Sequence, residues 1–377
     1  MDFKALGLKD EIVKALAVQQ IDKPTAIQEM AIPKLMENKD VVIQSETGSG
    51  KTLAYLLPLF AKQTAPSKTL QLLVLVPTQE LAMQVHRQVE ALAENSGVPL
   101  KSLVIFGNVN IKGQIEKLRE KPQIIIGTCG RIIELIQKKK ITAHTVNTIV
   151  IDEADKMLDK QNIEGVKAIR KAVMRDTQIV LVSASISEKT LEQAGMIAKE
   201  PELVKTADTF KIPEKIQHLY IVVQSREKLE TLRKLISILH PQRTLVFINK
   251  PEEAEVAAAK LKYHKLDATF IHGTGNKQER QKAIADFSSG KVPLLIATDI
   301  AARGLHIEQV SAVFSISISD DPMDYLHRAG RTGRGESEGL SVSIVTQQEL
   351  PLIKKCQRKF GIDMTEIVLR EGKIIKK

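Results

Sequence analysis

Ser45-Glu46-Thr47-Gly48-Ser49-Gly50-Lys51-Thr52, delivered by the apolar run Val41-Val42-Ile43 and followed by Leu53-Ala54-Tyr55-Leu56-Leu57, decides the fold of this chain. The order is that of a buried strand, a glycine-containing turn and a helix, which is the setting a phosphate-binding loop requires. Gly48 and Gly50 allow the backbone to curl so that its N–H groups converge on phosphate oxygens, and the helix start adds partial positive charge there. Lys51 is placed to reach the β- and γ-phosphates, and the Thr52 hydroxyl to ligate Mg²⁺. The stretch predicts binding of a nucleoside triphosphate.

The chain of 377 residues suits two domains of ordinary size, and 43% hydrophobic residues suffice for their cores. No apolar run approaches membrane-spanning length, and Met1-Asp2-Phe3-Lys4 does not read as a signal peptide. Cys129 and Cys356 stand alone, without metal-ligand spacing, which fits a reducing, cytoplasmic setting. The net charge of +10 permits a polyanionic partner. With 3% aromatic residues and no Trp, base stacking is a poor candidate for the main binding device. A nucleic acid would instead be held by phosphate and sugar, which positions a strand without reading it.

Ahead of the loop, Pro24-Thr25-Ala26-Ile27-Gln28 starts a helix whose Gln28 amide matches the adenine edge. Apolar runs then recur at Leu72–Val76, Leu103–Phe106, Ile124–Ile126, Thr148–Ile151 and Ile179–Val182, with helical patterns between several of them. Near-continuous apolar strands alternating with helices imply a parallel sheet covered on both faces. Polar motifs follow these strands: Pro77-Thr78, Thr128-Cys129-Gly130-Arg131, Asp152-Glu153-Ala154-Asp155 and Ser183-Ala184-Ser185. Ligands of open α/β sheets bind at that edge. Asp152 is therefore predicted to hold Mg²⁺ with Thr52, and Glu153 to orient or deprotonate the attacking water.

A segment near Lys205–Glu214 reads as a linker, after which strand candidates restart at Leu219–Val223, Thr244–Ile248, Ala268–Ile271, Leu294–Ala297, Val310–Ile318 and Leu340–Val345. This predicts a second α/β unit without its own phosphate loop. Its most informative cluster is His327-Arg328-Ala329-Gly330-Arg331-Thr332-Gly333-Arg334, whose arginines recur every three residues and, if helical, share one side. An arginine that stabilises γ-phosphate charge is worth about 10³–10⁵ in rate.

Taken together, these residues resemble the DEAD-box family of ATP-dependent RNA helicases, over nearly the whole chain from Phe3 to Arg334. The resemblance implies two tandem RecA-like domains, each a parallel sheet flanked by helices, over residues 1–207 and 215–377 with a linker at 208–214. It implies ATP and Mg²⁺ as cofactors and RNA bound mainly through its backbone. Phe3 and Gln28 would hold adenine, and Glu46, Thr47, Gly48, Ser49, Gly50, Lys51, Thr52 and Gly304 would complete the nucleotide site. Thr52 and Asp152 would ligate Mg²⁺; Lys51, Asp152, Glu153, Arg331 and Arg334 would carry the chemistry. Pro77, Thr78, Gly107, Thr128, Gly130, Arg131, Gly273, Arg280 and Thr298 would line the RNA path. Asp155, Ser183, Ser185, His327 and Arg328 would couple nucleotide state to RNA.

Several positions depart from the family pattern: Gln79 for Arg, Asn108 for Gly, Cys129 for Pro, Ser185 for Thr, Lys277 for Gln and His306 for Asp. Ser315-Ile316-Ser317-Ile318-Ser319 also lacks the usual Asn-Tyr-Asp-x-Pro. His306 and the Ser315–Ser319 stretch predict weaker coupling between ATP and RNA than is usual for the family. The expected activity is RNA-stimulated ATP hydrolysis coupled to local separation of short RNA duplexes, in ribosome assembly or RNA metabolism. An ATP-gated RNA clamp and a DNA-translocating ATPase are the rival readings. The chain resembles short, core-only bacterial members, is expected to be monomeric, and leaves the choice of RNA to a protein or ribosomal-precursor partner.

Overall fold

The computed structural model describes residues 1–45, 48–62, 68–107, 109–206, 215–271, 277–302, 310–333 and 337–377. The expectations for Glu46, Thr47, Asn108, Gly273, Gly304, His306, Arg334 and the 208–214 linker lie outside the described residues, as does the side chain of Lys277. The chain divides into two compact units, Met1–Thr209 and Phe210–Lys377.

The first unit carries strands β1 (Val41–Gln44), β2 (Leu72–Leu75), β3 (Ser102–Ile105), β4 (Ile124–Gly127), β5 (Thr148–Asp152), β6 (Gln178–Ser183) and β7 (Glu202–Lys205). They form one sheet in the order β3-β4-β2-β5-β6-β1-β7, and each of these pairings is parallel. Strand periodicity sends alternate residues to opposite faces. Val41, Ile43, Leu72, Val74, Ile124 and Ile126 pack with the helix Lys51–Lys62 and the helix Gln79–Ser96. Val42, Leu73, Leu75, Ile125, Ile149 and Ile151 pack on the other side against Ile132, Leu135, Val166 and Ile169. Burial on both faces is why these strands lack a polar alternation.

The second unit carries β8 (Ile216–Val222), β9 (Thr244–Phe247), β10 (Ala268–Ile271), β11 (Leu294–Ala297), β12 (Ala312–Ser315), β13 (Gly339–Val345), β14 (Thr365–Arg370) and β15 (Lys373–Lys376). Their order is β10-β11-β9-β12-β13-β8-β14-β15; among the described strands only β15 runs antiparallel, against β14. Counted from each unit's own first strand, the first seven strands of both sheets follow one order, the duplicated architecture expected from the sequence. The two units part ways directly beyond their first strands. After β1 comes the glycine turn, whereas after β8 comes Gln224-Ser225-Arg226-Glu227, where the Glu227 carboxylate accepts the Gln224 backbone N–H at 3.2 Å.

Three sequence expectations are corrected. The strand expected at Val310–Ile318 is the shorter β12, and Val310 instead makes an isolated bridge to Thr332. The strands β7, β14 and β15 were not anticipated, because they are less uniformly buried than the central strands. Arg328 and Arg331 do not share a helical face: the helix Pro322–Ala329 ends at its Gly330 cap, and Arg331 lies in the turn beyond it. Arg328 turns inward to a carboxylate, so the spacing of three carries no common direction.

Candidate nucleotide-binding site and motif edge

Gly48 and Gly50 adopt φ of +88° and +89°, the left-handed region that favours glycine. At Gly50 a second constraint applies, since a Cβ there would lie 2.3 Å from Gln28 Nε2. Gln28 is almost fully buried on the helix Ala26–Met36. Its Nε2 donates to the Gly50 carbonyl at 3.0 Å, and its Oε1 accepts the Thr25 N–H at 3.0 Å. Thr25 Oγ1 donates to the Ser49 carbonyl at 2.7 Å, so two side chains hold the turn from the same helix start. An amide carries a second N–H and a second lone pair, so both halves of Gln28 retain capacity for an adenine edge. Phe3, expected beside the adenine, is placed in the hydrophobic core of the first unit and is 2% exposed.

Lys51 opens the helix Lys51–Lys62 and donates its ammonium to the Ser45 carbonyl at the end of β1. Asp152 ends β5 and is buried. Its Oδ1 accepts the Glu153 N–H at 2.9 Å, and its Oδ2 accepts the Tyr55 hydroxyl at 3.0 Å. Burial pushes the Asp152 carboxyl up, opposed by the Glu153 N–H, the Lys51 charge and the Tyr55 bond. Burial, together with the Asp152 charge, pushes the Tyr55 phenol well above its ordinary value. Thr52 lies one turn before Tyr55, on the same helix face. Asp152, one of the two oxygen donors expected to share Mg²⁺, is thus tied through the Tyr55 hydroxyl to the helix that carries the other, Thr52. One carboxylate and one hydroxyl fit this ion, which keeps waters and takes substrate phosphate oxygens for the rest of its shell. Among the described residues no group of three acidic, His or Cys side chains could hold a metal by itself.

Glu153 has φ of +49° and leads into the short helix Ala154–Met157. Asp155 on that helix accepts Ser183 Oγ at 2.8 Å and Ser185 Oγ at 3.4 Å. The end of β6 is thereby tied to the turn after β5, and the expected coupling set of this unit is brought together.

The residues expected along RNA follow β2, β3 and β4 on the same sheet edge. Thr78 caps the helix Gln79–Ser96 by accepting the Leu81 N–H at 3.3 Å; Pro77 precedes it. Arg131 joins two of the turns: its guanidinium donates to the Val109 carbonyl at 3.0 Å and to Gln114 Oε1 at 3.1 Å, and pairs with Glu134 at 3.0 Å. Gly107 precedes this junction, and Thr128 and Gly130 flank the start of the helix Cys129–Gln137. Cys129, in place of the usual Pro, packs where a Cβ on Gly165 would meet it at 2.9 Å. Burial pushes its thiol up to about 12.

In the second unit, Arg328 is 3% exposed. It grips Asp299 through two bonds of 2.7 and 2.6 Å, donates to the Ser317 carbonyl, and stands 5.1 Å from the Phe247 ring centroid. Thr298 is buried and accepts the Ala301 N–H at 3.2 Å, while Arg280 donates to the Ala301 carbonyl at 2.8 Å. Ser317 Oγ accepts the Asn249 N–H at 3.1 Å, and Ser319 Oγ donates to Asp324 at 2.6 Å. The serine stretch is therefore a bonded corner that supports Arg328. Arg331 is half-buried, with Nε donating to the His327 carbonyl at 3.2 Å. The roles of Tyr55, Thr25 and Asp299 escaped the sequence reading. The available signal for Tyr55 was a hydroxyl inside an apolar helix start, since a buried phenol needs a partner.

A model of the DEAD/DEAH box helicase family matches residues 25–194, and a model of the helicase conserved C-terminal domain matches residues 227–336. The chain is 40% identical over 352 residues to a Bacillus subtilis (strain 168) protein named "Probable ATP-dependent RNA helicase YfmL", covering 93% of each. It is 38% identical to the DEAD-box ATP-dependent RNA helicase CshC of Bacillus cereus, covering 93% of this chain and 90% of that one. Among solved structures, S. cerevisiae Dbp5 bound to RNA and ADP BeF3 matches with a TM-score of 0.86 and 29% identity, over 97% of this chain and 95% of that chain.

Proposed function

The chain belongs to the DEAD-box family of ATP-dependent RNA helicases, and on that premise we propose that it couples RNA-stimulated ATP hydrolysis to local opening of short RNA duplexes. The observation that carries the reading is the convergence, within one unit, of a left-handed glycine turn, the Lys51 ammonium and the buried Asp152 carboxylate. The turn's N–H groups and Lys51 hold the β- and γ-phosphates, and Gln28 holds the adenine edge. Mg²⁺, when bound, would neutralise charge that develops on the phosphate oxygens. Thr52 and Asp152 would hold it. Glu153 accepts the proton of the attacking water as that oxygen reaches the γ-phosphorus. Arg331 and Arg334 of the second unit supply the remaining positive charge.

RNA lies along the edge formed by Pro77, Thr78, Gly107, Thr128, Gly130 and Arg131, and in the second unit along Gly273, Arg280 and Thr298. Contacts of this kind fall on phosphate and the 2′-hydroxyl, so affinity should drop steeply with salt. The Asp155–Ser183–Ser185 bonds link the nucleotide edge of β5 to β6, which supports a coupling role. Dbp5 was solved with RNA and ADP BeF3, the pair of ligands this reading requires. The protein is read as a cytoplasmic monomer whose RNA is chosen by a partner.

The test is ATP hydrolysis with and without RNA, beside release of a short RNA strand, for the parent, Lys51→Ala, Glu153→Gln and Arg331→Ala. Hydrolysis should fall at least about 100-fold in each variant, with Glu153→Gln still binding RNA in the presence of ATP. Hydrolysis that persists in Lys51→Ala and Arg331→Ala would refute the reading. RNA binding gated by ATP without strand release would favour the clamp instead, which the divergent Ser315–Ser319 corner motivates.

A further inference from the structure

We propose that Tyr55 is a positioning residue for Mg²⁺: its hydroxyl presets the Asp152 carboxylate, against the helix that carries Thr52, in the orientation that faces the ion. The proposal rests on the assignment of those two residues as Mg²⁺ ligands.

Tyr55 is 3% exposed, and its ring belongs to the hydrophobic core of the first unit. A phenylalanine would fill that space equally well, so packing does not account for the hydroxyl. A buried hydroxyl costs free energy unless it is bonded. This one is bonded, and its partner is a residue expected at the ion. Its proton goes to Asp152 Oδ2 at 3.0 Å. The other carboxylate oxygen, Oδ1, is held by the Glu153 N–H at 2.9 Å. Each carboxylate oxygen therefore has one fixed donor, which stops the carboxylate rotating and leaves one lone pair on each oxygen for another partner. Tyr55 fixes the helix Lys51–Lys62 to the end of β5 at the same time. Outer partners of metal ligands set affinity in this way, and losing one costs about 10–100-fold.

The test is Tyr55→Phe, which keeps the ring and removes only the hydroxyl. A fluorescent ADP analogue is titrated with the full chain in EDTA, and then Mg²⁺ is titrated into the complex. Affinity in EDTA should stay within twofold of the parent. The Mg²⁺ concentration at half-saturation should rise about 10–100-fold. An unchanged Mg²⁺ midpoint in Tyr55→Phe, with a clear Mg²⁺ effect in the parent, overturns the role of Tyr55 alone. An equal loss in EDTA and in Mg²⁺ also overturns it, as a packing effect. If the parent itself shows no Mg²⁺ effect, the ligand assignment falls and the positioning role falls with it.

A second measurement does not depend on that variant folding. The chain has four tyrosines, so 3-fluorotyrosine labelling of the unsubstituted protein gives four fluorine resonances. Adding Mg²⁺ to the ADP complex should shift one that persists when Tyr220, Tyr263 and Tyr325 are each replaced by Phe. If that resonance does not move, Tyr55 does not sense the ion and the proposal is overturned.

Discussion

Gln28 Nε2 and the Gly50 carbonyl meet at 3.0 Å, so the residue expected to read adenine also fastens the turn expected to hold phosphate. Any Cβ at position 50 would strike that same nitrogen at 2.3 Å. Gln28→Ala takes the acceptor from the Thr25 N–H and leaves the Gly50 carbonyl with the Ala54 N–H alone, a loss of about 1–3 kcal/mol. Gly50→Ala should weaken ADP binding more, because it adds a left-handed Cβ to the collision. In the double variant the collision is gone. The two effects should then fall short of additive by about 0.5–3 kcal/mol, read from a double-mutant cycle on ADP affinity. Strict additivity would mean that the two residues act separately.

Arg328, which is buried, and Asp299, which is partly buried, form an ion pair at the other motif edge. Removing one partner of such a pair leaves an uncompensated charge, at a cost of about 3–5 kcal/mol. Arg328→Ala should therefore destabilise the second unit by about that amount, seen as faster hydrogen exchange in β11 and β12. Arg328→Lys should recover only part of the loss, since a point charge cannot make the two-bond grip.

His218 sets an acid limit on the same unit. It is buried on β8 with Nδ1 2.6 Å from the Tyr325 hydroxyl, and burial pulls its imidazole down from 6.5 to about 4. A depressed histidine means that the unfolded chain binds its proton first. The stabilisation is complete above the unfolded value and is lost as pH falls from 6.5 toward 4, about 2 kcal/mol of it by pH 5. Denaturant midpoints at pH 7 and pH 5 measure this. His218→Gln should narrow the difference between them by roughly that amount.

Both cysteines should be silent toward thiol reagents in the native chain. Burial pushes Cys129 up to about 12 and Cys356 to about 11, and the thiolate is the reactive form. A disulfide reagent at pH 8 should register no rapid reaction until denaturant is added, and two equivalents after it. A fast native equivalent would show that one of these thiols opens to solvent.

The parallel sheets were legible because runs such as Leu72–Val76 and Ile124–Ile126 are apolar without alternation, which only burial on both faces explains. The phosphate loop was legible because glycine, Lys51 and Thr52 carry their chemistry in fixed spacing. Tyr55 was not: its partner Asp152 lies 97 positions away, and no local pattern records a tertiary hydrogen bond. Arg328 misled for the same reason. A spacing of three suggested a shared face, but a carboxylate 29 positions earlier draws that side chain inward. The strands β7, β14 and β15 lacked the continuous apolar signature that marked the others.

The Gln224–Glu227 turn after β8 occupies the place that the glycine turn holds after β1, and there Glu227 already accepts the backbone N–H that an incoming phosphate would seek. A carboxylate seated in that spot repels a second anion. Two lobes of like topology should accordingly load with a stoichiometry of one ATP per chain in titration calorimetry, the duplicated lobe having kept the scaffold while its own cradle is plugged.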